Sequence, residues 1–313
     1  MTLQTLKPHL PWMTLLALVL IVGAVNPNFL LPRNLLSLAA DIVPLFIMAM
    51  GITFAIYIGG IDLSAQNVAN MTTVIATIAL PVFGLWTALL CVLAGFALGT
   101  LAGFITTRLM VPSFITTLAT GGIALSLGQY LSGQQALYME AGLRDATFGW
   151  MVGTSLGIPN ELFIAAALVA GALFVERRTT LGRALKAVGA GEPAALGSGL
   201  DTARMKMLAF AISGGLAAIA GLLFAVKLSG GSPNMANGFL LPAIVAVLVG
   251  GTPLTGGVGG VLNTLIGTLI VAVIRASMLY FEIDATQQQM VFGLVLIAAI
   301  ALTIDRSKLR TVK

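Results

Sequence analysis

Between residues 11 and 304 the sequence returns repeatedly to apolar runs about as long as a helix that crosses a bilayer, roughly 20 residues each. No other feature restricts the fold so strongly. A chain built this way has too few polar faces to cover a core in water. Composition agrees: 58% of the 313 residues are hydrophobic, 9% are charged, and mean hydropathy is +1.03. Soluble domains are nearer half apolar and a quarter charged. A membrane β-barrel would show short alternating segments instead of long continuous ones. The expected fold class is an all-α integral membrane protein, with residues 1–313 forming one transmembrane domain.

Ten spans can be drawn, at 11–31, 40–59, 63–80, 86–107, 113–131, 161–176, 207–228, 239–251, 258–280 and 288–304. With the N-terminus inside and the spans alternating, Lys7, Arg108, Arg177, Arg178, Arg183, Lys186, Arg204, Lys206, Arg306, Lys308, Arg310 and Lys313 fall on the cytoplasmic side. Arg33, Arg144 and Lys227 fall outside, and Arg275 lies within a span. Basic residues gather in cytoplasmic loops, so the asymmetry predicts about ten transmembrane helices and two cytoplasmic termini. It also accounts for the net charge of +5 without nucleic acid. No small-x-small cleavage site follows the first apolar run, which is therefore read as a retained helix. The run 239–251, FLLPAIVAVLVGG, is short for a full crossing and suits a broken or re-entrant segment shielded from lipid. Gly95, Gly99 and Gly103, and separately Ala217 and Gly221, repeat at the four-residue spacing that lets helix backbones approach closely.

The sequence has no GxxxxGK[ST], so no Walker A loop with which to hydrolyse ATP itself. It has no HExxH and no clustered carboxylates, and the one histidine, His9, precedes the first span. Acid–base or metal catalysis has nothing to work with, and no catalytic or metal residue is expected. The lone cysteine, Cys91, sits in an apolar run as a small hydrophobe.

The longest polar segment is 177–206, RRTTLGRALKAVGAGEPAALGSGLDTARMK. Leu181, Ala184, Leu185 and Val188 are spaced as one helical face, with Arg183 and Lys186 on another. Gly189 and Gly191 end that helix. Glu192 and Pro193 suit the first turn of a second, through Ala194, Ala195 and Leu196, and Gly197 and Gly199 close it. Two readings fit: a basic loop that sets topology, or a short helix presented to a cytoplasmic partner.

The order GGIDLS, LGRALKAVG, SGGLAAIAG and GGTPLTGGVGG, with an apolar span after it, resembles the permease subunits of bacterial ABC importers in the ribose/simple-sugar family. The resemblance runs from about residue 30 to 304. It implies a ten-helix importer permease in the bacterial inner membrane, moving a small sugar or polyol. It also implies partners: a second permease copy or paralogue, a periplasmic sugar-binding protein, and ABC ATPase subunits that hold the ATP and magnesium, so that this chain binds no cofactor. The 191–200 segment takes the place of the coupling helix, with Gly191, Glu192, Pro193, Ala194, Ala195 and Leu196 against the ATPase. Three positions depart from the family pattern. Ala65, Gln66 and Asn67 stand where Val-Gly-Ser is common. Gly191 replaces an Asn, and Leu196 replaces an Arg.

Gly59–Ser64 is expected to be the cytoplasmic-side turn between the second and third spans, with Ser64 capping the next helix and Asp62 favoured at its start. A second reading places Asp62, Ser64, Gln66 and Asn67 along the translocation route or its inner gate, together with the Gly-rich break 250–260. Thr116, Thr117, Gln129 and Asn263 are further candidates for a sugar path, since polar groups at membrane depth tend to face a cavity. Arg275 either snorkels to the headgroups or pairs with Glu282 or Asp284. The outer loop 132–160 is a candidate docking surface for the binding protein. The competing reading is an ion-coupled secondary transporter, which generally relies on ionisable groups at mid-membrane.

Overall fold

A computed structural model describes residues 10–280 and 283–303. Lys7, His9, Glu282, Arg306, Lys308, Arg310 and Lys313 lie outside the described residues. The helices, in chain order, are α1 (Leu10–Val25), α2 (Pro32–Asp41), α3 (Val43–Tyr57), α4 (Ala65–Phe83), α5 (Trp86–Arg108), α6 (Ser113–Ser132), α7 (Ala141–Val152), α8 (Asn160–Arg178), α9 (Thr180–Ala190), α10 (Glu192–Gly197), α11 (Thr202–Lys227), α12 (Leu240–Val249), α13 (Val261–Tyr280) and α14 (Ala285–Thr303). Four two-residue strands are described, β1 (Leu137–Tyr138), β2 (Thr154–Ser155), β3 (Ile158–Pro159) and β4 (Gly230–Gly231).

Among the described residues, α5, α6, α11 and α13 are long and apolar enough to cross a membrane. The pair α2 and α3, bent by 48° at Ile42, makes a fifth candidate span. Helices α1 and α12 and the middle of α14 are apolar but shorter. Helix α4 carries three amides in its first two turns, and α8 carries charges at both ends. Ten spans of comparable strength are therefore not what length and apolarity alone select.

Helix α3 is apolar all round and every one of its residues is buried, as expected of a helix inside a bundle. It packs against α11, α12 and α13, and also touches α4, α8 and α9. The glycine stripe brings α5 onto α11. A methyl group at Gly99 would overlap the Phe210 carbonyl oxygen, and one at Gly95 the Gly214 carbonyl oxygen. At Gly103 it would lie 2.6 Å from Met207 Cα. Gly221 packs in the same way on Ala69 and Thr72 of α4. Exposed apolar side chains cover the outside, including Leu16 and Leu20 on α1, Trp86 and Leu93 on α5, and Leu294 and Ile297 on α14. A water-soluble monomer does not expose such a surface; hydrocarbon suits it.

The segments flagged in the polar loops are helical. Helix α9 buries Gly182, Ala184, Leu185 and Val188, and its N-cap Thr179 accepts a hydrogen bond from Gly182 N. Gly189 lies inside α9 and does not end it; the terminator is Gly191. Glu192 and Pro193 open α10 as the sequence suggests. The loop 132–160 holds α7 and the β2–β3 hairpin, and β1 pairs with β4, Leu137 opposite Gly231 and Tyr138 opposite Gly230.

Candidate functional site

The two glycine-rich breaks meet. Gly257 N donates to Tyr57 O at 3.0 Å, and Gly256 packs against Gly59, where an added methyl would sit 2.5 Å from Gly59 N. Gly59, Gly256, Gly257 and Gly259 all have positive φ, so the close approach relies on residues without a Cβ. Helix α9 lies against the same junction. Gly189 faces Tyr57 O and Gly257 N with no room for a side chain. One ion pair ties the assembly together. Lys186 Nζ on α9 donates to Glu176 Oε1 at the end of α8 (2.8 Å) and to Gly259 O (2.9 Å), and sits 4.8 Å over the Tyr57 ring. The other oxygen, Glu176 Oε2, accepts from Val261 N, the first residue of α13 (3.0 Å). An acid is favoured at that helix start. Five elements thus converge at the end of the bundle that carries Arg108, Arg177, Arg178 and Arg183. Neither Glu176 nor Lys186 was singled out from the sequence as a pair, because ten residues and a helix cap separate them.

Helix α10 hangs from this junction. Glu192 pairs with Lys206 of α11 (2.6 Å), and Ala195 is buried. Pro193, Ala194, Gly197 and above all Leu196, 62% exposed, face outward.

The expected turn at Gly59–Ser64 needs correction. Only Gly59 and Gly60 turn at the basic end. Residues 61–64 run back into the bundle beside α6: Ile61 N donates to Ser113 Oγ and Leu63 N to Thr117 Oγ1, each at 3.1 Å. Asp62 therefore meets Ser213, near the middle of α11. Its carboxylate accepts from Ser213 Oγ (2.6 Å), Ser64 Oγ (2.6 Å) and Ser64 N (2.8 Å). Ser64 makes no side-chain cap; its hydroxyl serves Asp62 instead. Asp62, Ser64, Thr116 and Thr117 are all buried, and all four bond within the protein. Asn67, beside Gly121, and Gln129 are half-buried. Asn263 is half-buried between Gly250 and Gly260, 3.4 Å from where a methyl on Gly251 would stand. The eight candidates do not form one cluster. Asp62, Ser64 and Thr117 share a wall, while Asn263 sits at the glycine junction.

Gln66 belongs to a different arrangement. After α11 the chain unwinds and descends along α4. Ser232 N donates to Thr73 Oγ1 (3.1 Å), Ala236 N to Asn70 Oδ1 (2.6 Å), and Gly238 N and Leu240 N to Gln66 Oε1 (3.0 and 3.2 Å). From Thr77, which flanks Gly231, to Gln66 is eleven helical residues, roughly 16 Å. Helix α12 then continues antiparallel to α13, with Ala246 against Gly267 and Gly250 against Asn263. The short run 239–251 is thus the helical half of a broken segment, as its length suggested. Arg275 does not pair with Asp284, which bonds with Gln287; its guanidinium lies 4.7 Å over the Phe239 ring. Asn70, Asn234, Asn237 and Gln289 were missed in the sequence; the signal for Asn234 and Asn237 is SPNMANG, a polar run too long for a plain turn between two apolar runs.

The opposite end has its own ties. Lys227 pairs with Asp41 (2.9 Å) and Glu161 (3.4 Å). Strand β1 holds β4 at the head of the descending segment, Met139 N donates to Ser229 O (3.0 Å), and Arg144 donates to Ser229 Oγ. The loop 132–160 is therefore joined to the unwound segment by main-chain hydrogen bonds.

Residues 34–300 match the family described as the permease component of branched-chain amino acid transport systems. A ribose import permease of Haemophilus influenzae is 34% identical, over 92% of this chain and 90% of its own length. That of Escherichia coli K12 is 31% identical, over 91% and 90%. A xylose transport system permease of Escherichia coli K12 is 29% identical, over 87% and 85%. No solved structure matches the chain. Helices that suit a membrane, a two-helix loop packed on two helix breaks and a match over most of the sequence agree: the chain belongs to this family of transport-system permeases.

Proposed function

We propose that the chain is the membrane permease subunit of an ATP-driven ABC importer, moving a small sugar or related polyol handed over by a periplasmic binding protein. The observation that carries this is the junction of α9 with both glycine breaks, through Lys186, Glu176, Tyr57 and Gly257. An ATPase bound at 191–197 can pull on both breaks at once. The chain is a transport component, not an enzyme; ATP and magnesium belong to the ATPase. Substrate is a sugar and not an amino acid on the strength of the ribose and xylose permeases, which align over nearly the whole chain.

The same reading gives ten crossings: α1, the bent pair α2–α3, α4, α5, α6, α8, α11, the broken segment 230–249, α13 and α14. Both termini and the loop 177–206 then lie in the cytoplasm of a bacterial inner membrane, and 132–160 lies outside as a surface for the binding protein. A second permease, identical or paralogous, completes the pore. Gln66 and Asn67 line the route, and Asn263 sits at its inner gate. Asp62, Ser64, Thr116 and Thr117 brace the wall, and Gln129 lies toward the outer end of α6. Ion-coupled transport is not favoured, because the relatives named above are permeases of import systems.

The test is purification of the tagged chain from its native membrane in mild detergent, with mass spectrometry of what accompanies it. A Walker-motif ATPase in about 1:1 ratio to total permease is expected, as the fixed docking of one ATPase per coupling loop requires. A chain that comes down alone and takes up solute on an ion gradient would overturn the reading.

A further inference from the structure

We propose that the unwound segment 230–239, with Gln66, Asn70 and Gln289, is the station at which the permeating solute is held, and that it accepts a neutral polyhydroxylated molecule. The proposal rests on the importer reading and adds to it a place and a chemistry.

Irregular backbone costs several kcal/mol per unsatisfied group in hydrocarbon, so it survives at membrane depth only where protein or water satisfies it. Here α4 supplies partners at one face only. Thr73, Asn70 and Gln66, spaced along that face, take the N–H groups of Ser232, Ala236, Gly238 and Leu240, and Gln289 Nε2 donates to Gly238 O (3.0 Å). The segment is therefore held open along α4 and is not a collapsed loop. What it leaves exposed is amide. Asn237 Oδ1 accepts from Asn70 Nδ2 (2.9 Å), Asn237 Nδ2 donates to Asn234 Oδ1 (3.1 Å), and Asn234 N donates to Ser232 Oγ (3.3 Å). Asn234 and Asn237 are exposed although the main chain beside them lies well down α4. Exposed amides at this level are tolerable against a water-filled path and costly against lipid.

The chemistry of the surface selects the ligand. Among the described residues, no acid or base is hydrogen-bonded into the cluster. Arg275, at its edge, has its guanidinium stacked on Phe239. An uncharged carboxamide offers a donor and an acceptor side by side, which suits neighbouring hydroxyls. It offers no counter-charge to a carboxylate, phosphate or ammonium, and desolvating such a group there would go uncompensated. The open geometry also suits a carrier, since a solute that must leave cannot be enclosed.

The test uses the full-length permease in membrane vesicles, with Cys91→Ala as background. Single cysteines replace Asn234, Asn237 and, as a lipid-facing control, the 66% exposed Leu294. A charged, membrane-impermeant methanethiosulfonate should modify positions 234 and 237 at least about tenfold faster than 294, because the thiolate that reacts forms only in water. In cells, Asn237→Leu should cut uptake of D-ribose or D-xylose, whichever the wild type carries, by about tenfold or more, since it removes the acceptor of Asn70 Nδ2 and Gln66 Nε2. The ATPase should still co-purify with it. Labelling at 234 and 237 as slow as at 294, or pentose uptake by Asn237→Leu at the wild-type rate, overturns the proposal. A wild type that captures no ATPase and carries no pentose overturns the importer reading instead, and thiol labelling distinguishes the two because it depends on neither.

Discussion

Single residues decide how closely the helices approach. At Gly99 any side chain must displace the Phe210 carbonyl on the facing helix, and such overpacking costs about 1–3 kcal/mol. Gly99→Leu is expected to lower the thermal midpoint of the detergent-solubilised permease by several degrees, followed by size-exclusion of heated samples. Gly171→Ala, with open space around it on α8, should leave the midpoint unchanged or raise it slightly. The glycine stripe was legible in the sequence because four-residue spacing puts three glycines on one face. Its partner was not, since carbonyl oxygens of α11 carry no sequence signature. Gln66 shows the same limit: it stands out as a departure from the family pattern, but the two amide N–H groups it accepts belong to residues more than 170 positions away. Asn70→Ala would leave Ala236 N–H buried without an acceptor, worth about 1–3 kcal/mol. It should destabilise the permease in the same heated-sample assay, where Gln129→Ala should not.

At the scale of elements, the proposed coupling rests on the helices of 177–206. The two helices of 177–206 could be read from their apolar spacing and from Glu-Pro at the second start, and they occupy nearly the residues expected. The contact of α9 with both glycine breaks could not be read, because it joins segments near residues 57, 186 and 257 that periodicity treats separately. Lys186→Met keeps most of the side chain and removes the ammonium that links Glu176 to Gly259 O. With that link gone, the assembled importer should still hydrolyse ATP while solute uptake falls by about tenfold. Equal losses of hydrolysis and uptake would mean that Lys186 only holds the fold. Leu196→Asp is different, since Leu196 projects from α10 without supporting the core. It should leave the permease inserted and monodisperse but cut ATPase co-purification several-fold, as removing an exposed apolar anchor at the centre of an interface commonly does. The descending segment was legible only as a run too short to cross; its extended half looks like an ordinary Ser-Pro-Asn loop until α4 is placed beside it.

The whole molecule is a bundle with a buried centre, an apolar outside and two differently built ends. One end gathers both helix breaks, α9 and most of the described arginines. The other joins the loop 132–160 to the unwound segment through β1 and β4. A binding protein on that loop and an ATPase on α10 would therefore act on the two halves of one route, the unwound segment and the glycine junction. The class of protein was legible from composition, because no soluble fold can hide so much apolar surface; the meeting of the breaks required the fold. The most direct test of this account is solute uptake by proteoliposomes holding the permease, its co-purifying ATPase and the binding protein, with ATP inside or outside and no ion gradient. Pentose uptake is expected to require ATP on the α10 side and to be lost in Leu196→Asp. Uptake that proceeds without ATP, or that Leu196→Asp leaves at the wild-type rate, would contradict it.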